Sequence, residues 1–77
     1  MSKVVVLGGC GGIGTVAVRA LLALEAFDEV VVADVRIDEA TTLVATFANA
    51  RAVAAAFDAT SHASIVDVIR GADVVLN

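Results

Sequence analysis

The sequence is poor in the residues by which many small proteins cross-link their chain or bind metal. Cys10 is the only cysteine among 77 residues, which excludes a disulfide within the chain. His62 is the only histidine and no ligand pattern surrounds it, so we expect no metal site. A chain of this length buries only a modest core. Its stability is therefore expected to depend on further chain or on another subunit.

Basic residues are also scarce. The chain has 5 Lys and Arg against 9 Asp and Glu, and its formal net charge of −4 gives no electrostatic footprint for nucleic acid. The uncharged stretch 4–18 superficially resembles a signal peptide. Its five glycines make it unsuitable as one, and it is too short to span a membrane. We therefore expect a cytoplasmic protein without nucleic-acid or membrane partners.

Apolar residues, in contrast, make up 60% of the chain, more than in a typical soluble domain. Four apolar runs have the character of strands buried in a parallel sheet, namely residues 3–7, 30–33, 51–57 and 72–76. The third is weaker, because its three consecutive alanines also suit a helix. Three stretches between the four runs carry apolar residues at helical spacing. The order β-α-β-α-β-α-β therefore predicts an α/β fold with a parallel sheet.

The predicted helices have recognisable faces and ends. Asp38 is a plausible N-cap of the second helix and Ser61 of the third, while Gly71 follows the third helix where a C-terminal glycine belongs. The apolar positions of the first helix are Ile13, Val16, Ala17, Ala20, Leu21 and Leu24, and those of the second are Ala40, Leu43, Val44 and Phe47. Right-handed crossovers place these two helices on one face of the sheet and the third on the other.

The strand order expected from this alternation is 3-2-1-4, the first half of a Rossmann fold plus the strand at its switch point. We therefore expect residues 1–77 to form the N-terminal part of a dinucleotide-binding Rossmann domain, truncated after the fourth strand. A catalytic domain would lie outside this range. The open edge of the fourth strand and the uncovered sheet face predict self-association of the chain.

A glycine-rich loop follows the first strand at once. Gly9, Gly11 and Gly14 fit the G-x-G-x-x-G pattern of dinucleotide-binding proteins. In that pattern the first glycine permits a tight turn, the second lets pyrophosphate approach the backbone, and the third lets the helix pack close to the sheet. The N-terminus of the helix then offers free N–H groups and a positive dipole end to the phosphates.

The same loop satisfies two further templates. Gly8, Gly11 and Gly14 form the G-x-x-G-x-x-G of extended short-chain dehydrogenases and epimerases, and Gly8, Gly12 and Gly14 form the G-x-x-x-G-x-G of the shorter members. The loop therefore indicates the class of cofactor but not the family.

Asp34 lies at the end of the second strand, twenty residues beyond Gly14, where a carboxylate binds the adenosine ribose. Such a carboxylate accepts bonds from both ribose hydroxyls and repels a 2′-phosphate, which favours NAD. Arg36 follows two residues after Asp34. If Asp34 turns away, the guanidinium of Arg36 reaches a 2′-phosphate, so NADP is the alternative cofactor. Arg36 is otherwise a solvated loop residue or stacks near the adenine.

Asp58 and Asn77 have two interpretations each. Asp58 ends the third strand and either contacts the adenine amino group or stabilises a turn. Asn77 either binds the cofactor or caps the fourth strand, whereas Cys10 is a small filler and His62 a surface residue. The predicted cofactor contacts are thus Gly9, Gly11, Gly12, Ile13, Gly14, Asp34, Val35, Arg36, Asp58, Ala59 and Asn77, with no catalytic residue and no metal ligand among them.

Three parts of the sequence carry a resemblance to a known family. VVVLGGCGGIG at 4–14, FDEVVVADVR at 27–36, and FDAT at 57–60 with RGADVVLN at 70–77 resemble the N-terminal domain of the saccharopine dehydrogenase family. The resemblance implies cofactor binding through the glycine loop, Asp34 and Asp58. It also implies hydride transfer at a carbon–nitrogen bond of an amino-acid-derived substrate, catalysed by a second domain, so no catalytic residue is carried over.

The chain also resembles two other classes of protein. The C-terminal strand also resembles that of short-chain dehydrogenases, although the spacing from Asp58 to Asn77 leaves room only for a compact crossover helix. The Tyr-x-x-x-Lys pair of those enzymes is absent, since the chain has no tyrosine. Nucleotide-sensing regulatory domains of potassium transport systems resemble the chain as well. Such a domain would bind NAD(H) without redox chemistry.

Overall fold

The computed structural model describes residues 2–77 of the chain. These residues form four strands and three helices in strict alternation: β1 (Lys3–Leu7), α1 (Gly12–Leu24), β2 (Glu29–Asp34), α2 (Ile37–Phe47), β3 (Ala52–Ala56), α3 (His62–Ile69) and β4 (Val74–Leu76). The predicted element order is confirmed, but β3 and β4 are shorter than expected. Ala72, predicted to begin β4, lies outside that strand. Its backbone N–H donates to the carbonyl of Ile69 and closes the turn after α3.

The strands form one parallel sheet in the predicted order β3-β2-β1-β4. Val5 in the middle of β1 pairs with Val31 of β2 on one side and with Val75 of β4 on the other. Because all four strands run in the same direction, their carboxyl ends meet at one edge of the sheet. The residues after β1, β2, β3 and β4 are therefore brought together there.

Each face of the sheet has its own apolar core. The continuous valine runs of β1 and β2 supply both faces, because successive side chains of a strand point to opposite sides. One core joins alternate strand residues to α1 and α2 and consists of Val4, Val6, Val18, Leu22, Val30, Val32, Ala40 and Ala52. The other consists of Val5, Val31 and Ala33, packed against Val68 and Ile69 of α3. The predicted sides of the three helices are confirmed.

The predicted apolar face of α1 is only partly correct: Leu21 packs against the core and Ala17 is half-buried, but the most buried residues are others. The helix buries Val18 and Leu22, whereas Ile13, Val16 and Leu24 are 89%, 68% and 70% exposed. Apolar residues surround this helix on nearly every side, so their spacing does not select a face. Its rotation follows instead from the close contact that Gly14 makes with the preceding loop.

The helix ends confirm two of the three sequence predictions. The hydroxyl of Ser61 caps α3 by accepting from the N–H of Ser64 at 3.2 Å, and Gly71 has the left-handed backbone (φ +76°) of a glycine that ends a helix. Asp38 is not the N-cap of α2, because the helix already begins at Ile37. Asp38 lies in the first turn, where a carboxylate interacts favourably with the helix dipole.

Arg51, just before β3, ties together the C-terminal end of α1 and the chain that follows it. Its guanidinium donates to the carbonyl of Phe27 at 2.8 Å and to the carbonyl of Leu22. Carbonyls in the last turn of a helix have no partner within the helix. Arg51 therefore satisfies a group that α1 leaves open and fixes the helix relative to β3.

We predict that Arg51→Met lowers the free energy of unfolding by about 1–3 kcal/mol, since hydrogen bonds from a charged donor are lost. Urea unfolding followed by circular dichroism measures the change. Arg70→Met is the matched control, because Arg70 forms only an exposed ion pair with Asp67, and less than about 0.5 kcal/mol is expected. Equal effects of the two substitutions would contradict the role assigned to Arg51.

Candidate functional site

The glycine loop at the carboxyl end of β1 is a tight turn anchored to β2. The N–H groups of Gly8 and Gly9 both donate to the carbonyl of Ala33, at 2.7 and 3.2 Å, and the N–H of Gly11 donates to Gly8 at 3.1 Å. Gly8 has a left-handed backbone with φ +76°, a conformation that favours glycine. The turn glycine is thus Gly8, not Gly9 as the sequence pattern predicts.

Gly9 and Gly14 are required because neighbouring atoms leave no room for a side chain. A Cβ at Gly9 would lie 2.7 Å from Cγ1 of Val32. A Cβ at Gly14 would overlap the carbonyl oxygen of Gly8 and lie 2.9 Å from Cα of Gly9. Gly14 thus makes a close approach, but to the loop residues Gly8 and Gly9 rather than to a strand, as the pattern predicts.

The N-terminus of α1 is open to a ligand. Gly11 is its N-cap residue and supplies no side chain, and the first turn contains no acidic residue. The first N–H groups of a helix have no partner within it, and they carry the positive end of the helix dipole. Backbone donors of Gly12, Ile13 and Gly14 are therefore available to an anion.

A groove of about 450 Å³ lies beside this helix terminus, between the glycine loop and the end of β4. Five of the predicted contacts line it, namely Gly11, Gly12, Ile13, Gly14 and Asn77, whereas the predicted Gly9 does not. The other lining residues are Val6, Leu7, Gly8, Ala17 and Leu76. The volume falls within the range of small-molecule and cofactor sites. Ile13 and Asn77 border it as exposed residues.

Asp34 is buried at the end of β2, next to the glycine loop, and is 3% exposed. Its carboxylate accepts from the N–H of Cys10 at 3.2 Å, from the N–H of Arg36 at 3.0 Å and from Nε of Arg36 at 3.2 Å. Burial by itself raises the pKa of this carboxyl, but the hydrogen bonds from Arg36 and Cys10 outweigh it and lower the pKa from 3.8 to about 2. Asp34 is therefore ionised at neutral pH.

Arg36 turns its guanidinium towards two carboxylates. Besides Asp34, it contacts Glu39 in the first turn of α2, with Nη1 2.9 Å from Oε2. Sequence reasoning missed Glu39, although its i,i+3 spacing from Arg36 is the signal for such a pair. A second groove of about 390 Å³ adjoins this cluster and is lined by Cys10, Asp38, Glu39, Thr42, Leu43 and Thr46.

The remaining predicted residues, Val35, Asp58 and Ala59, line neither groove. Asp58 is exposed after β3, and its Oδ1 accepts from the N–H and the hydroxyl of Thr60 at 2.9 and 2.6 Å. These bonds lower the pKa of Asp58 and are those of a turn-stabilising aspartate. Adenine contact by Asp58 and the adjacent exposed Ala59 stays a prediction, as does cofactor contact by Val35, which is 56% exposed.

Cys10 and His62, predicted to be a small filler and a surface residue, lie in such environments. Cys10 is half-buried in the loop, and burial, followed by the negative charge of Asp34, raises the pKa of its thiol. A thiol with a raised pKa is a poor nucleophile at neutral pH. His62 is exposed at the first residue of α3. Within residues 2–77, no group of three or more His, Cys, Asp or Glu is arranged to hold a metal ion.

None of the helices described between residues 2 and 77 has both the length and the apolar character needed to cross a membrane.

We predict that Gly14→Ala lowers the free energy of unfolding by about 1–3 kcal/mol, because its Cβ is forced into the backbone of Gly8 and Gly9. Gly12→Ala is the matched control in the same helical turn, since a Cβ there meets nothing within 4 Å. It is expected to change stability by less than about 1 kcal/mol, in the stabilising direction. Thermal unfolding of both variants measures the difference, and equal destabilisation would contradict the packing role of Gly14.

Comparison with known proteins agrees with this geometry. The sequence profile of the family described as "Saccharopine dehydrogenase NADP binding domain" matches residues 4–77. Among solved structures, the chain is similar to 3-hydroxyacyl-CoA dehydrogenase type-2 from Mycobacterium avium, with 28% sequence identity and a TM-score of 0.75. That likeness covers 99% of this chain and 31% of the other, so the chain spans about a third of that enzyme. No curated protein sequence matches the chain significantly.

The profile match extends over the glycine loop, Asp34 and all four strands. The structural likeness independently supports the Rossmann fold that the strand order and the helix positions define. The chain belongs to the saccharopine dehydrogenase NADP-binding domain family and is a dinucleotide-binding Rossmann domain.

Proposed function

We propose that residues 1–77 bind NAD(H) at the carboxyl edge of the sheet. The pyrophosphate is held by the backbone N–H groups at the start of α1, and the adenosine ribose by Asp34. The supporting observation is the uncapped N-terminus of α1 beside the groove of about 450 Å³, with the buried Asp34 at the end of the adjacent strand. Asp58, Ala59 and Asn77 are proposed as further contacts at the ends of β3 and β4.

The preference for NAD(H) over NADP(H) is supported by the charges near the ribose position. Asp34 and Glu39 place two carboxylates there against the single guanidinium of Arg36, whose side chain contacts both of them. A 2′-phosphate adds negative charge to a region that is already negative. NADP(H) is the second candidate, supported by the family description and by the presence of Arg36.

For the whole protein we propose an oxidoreductase that transfers hydride between nicotinamide and a carbon–nitrogen bond of an amino-acid-derived substrate. Its substrate-binding and catalytic residues would lie outside residues 1–77. Membership of the saccharopine dehydrogenase family supports this reaction. A dehydrogenase of the short-chain type is the alternative, supported by the likeness to a 3-hydroxyacyl-CoA dehydrogenase.

We predict that the chain binds NADH more tightly than NADPH in calorimetric titrations of the folded protein. Asp34→Asn removes the carboxylate charge with little change of shape and should weaken NADH binding about tenfold, with a smaller effect on NADPH. Asp67→Asn on α3 is the control and should change neither affinity. Binding of neither dinucleotide would reject the proposed function, and a larger effect of Asp34→Asn on NADPH would reject the ribose role of Asp34.

We also propose that two copies of the chain associate through the free edge of β4. This strand has no charged residue, and Val74, Val75 and Leu76 are 40%, 40% and 37% exposed. An exposed apolar strand edge offers unpaired backbone groups to another strand. The opposite edge strand, β3, is better protected because it packs against α2 and has Ala52 buried.

Sedimentation velocity is expected to show concentration-dependent dimers of the 77-residue chain. Val75→Lys should shift this equilibrium towards monomer, because charge on an edge strand opposes strand pairing. Val53→Lys is the matched control, since Val53 has the same 40% exposure and lies on the opposite edge strand. A monomer at every concentration, or an equal effect of both substitutions, would contradict association through β4.

A further inference from the structure

The guanidinium of Arg36 lies between two carboxylates that come from different elements. Its Nε is 3.2 Å from Oδ1 of Asp34 at the end of β2, and its Nη1 is 2.9 Å from Oε2 of Glu39 in α2. The side chain of Asp34 is 4% exposed, whereas those of Arg36 and Glu39 are 50% and 58% exposed. A buried carboxylate and a solvent-facing one thus hold opposite ends of the same cation.

We propose that Glu39 is a positioning residue that keeps Arg36 on Asp34 and thereby selects an unphosphorylated adenosine ribose. The proposal rests on the proposed binding of a dinucleotide at this edge of the sheet. Glu39 is assigned no contact with the cofactor. It acts through the conformation of Arg36.

Hydrogen-bond donors explain why Glu39 matters. A guanidinium has five N–H donors in a fixed planar arrangement. Arg36 directs Nε and Nη2 towards the two oxygens of Asp34 and Nη1 towards Glu39. A 2′-phosphate needs the same donors, because bidentate contact is the strong mode of phosphate binding by arginine. In this arrangement carboxylates already engage three of the five donors, so a phosphate has to compete with them for bidentate contact.

The balance of charge leads to the same expectation. Asp34, Arg36 and Glu39 together carry one net negative charge, which opposes the approach of a phosphate. Removing the charge of Glu39 makes the group neutral and frees Nη1 of Arg36. The ribose hydroxyls of NAD are uncharged, so the net charge of this group does not oppose them. Loss of the Glu39 carboxylate therefore favours NADP over NAD.

Asp38 provides a control that separates positioning from general charge. It precedes Glu39 in the first turn of α2 and lines the same groove. The ion pairs of Arg36 within the described part of the chain are with Asp34 and Glu39. Asp38→Asn and Glu39→Gln thus remove the same charge from neighbouring positions, but only the second breaks a contact with Arg36.

The test compares calorimetric affinities of the two variants and the unsubstituted chain for NADH and NADPH. Glu39→Gln is expected to lower the ratio of the NADPH to the NADH dissociation constant about three- to fivefold. Asp38→Asn should change it by less than about twofold, and Glu39→Asp should retain most of the original ratio. An equal effect of Asp38→Asn and Glu39→Gln, or no effect of either, overturns the positioning role.

A second measurement does not depend on cofactor binding. In nuclear magnetic resonance spectra, the Nε–H of Arg36 should exchange with water several-fold faster in Glu39→Gln than in Asp38→Asn, because one anchor of the guanidinium is lost. Unchanged exchange overturns the proposal even in a protein that binds dinucleotide. If the unsubstituted chain binds neither NADH nor NADPH while the exchange difference is present, the proposed cofactor fails and the positioning of Arg36 by Glu39 stands.

Discussion

The site depends on the close approach of α1 to the glycine loop. Gly14 contacts the backbone of Gly8 and Gly9, and Gly9 in turn packs against Val32 of β2. These contacts require glycine at positions 9 and 14, because a Cβ at either one would push the loop away from α1 or from β2. The free N–H groups at the start of α1 therefore lie next to the loop.

Asp34 links the edge of the sheet at which cofactor binding is proposed to the framework that supports it. Its carboxylate accepts from the loop at Cys10 and from both the backbone and the side chain of Arg36. The group that is proposed to bind the ribose is thus already a structural partner of the glycine loop. A substitution at Asp34 is therefore expected to alter loop geometry as well as ribose binding, which is why an isosteric change is the most informative one.

The two edge strands of the sheet, β3 and β4, differ in how well other elements cover them. At β2 and β3, helix α2 protects the sheet, whereas β4 and the exposed apolar residues of α1, Ile13 and Leu24, face solvent. This asymmetry accounts for the high apolar share of the sequence, because residues suited to an interior lie on the surface. It also explains why the proposed association of two copies involves β4 rather than β3.

The sequence by itself determined the element order, the strand order and the placement of Asp34 beside the glycine loop, because alternating elements and glycine spacing are local patterns with few packing solutions. It also located the Ser61 cap and the Gly71 turn. Only the tertiary structure decided which face of α1 is buried, since a helix apolar on nearly all sides carries no directional pattern. The tertiary structure also decided that Asp34, Arg36 and Glu39 form a cluster, and that α2 begins before Asp38. Both features depend on contacts that the sequence pattern does not show.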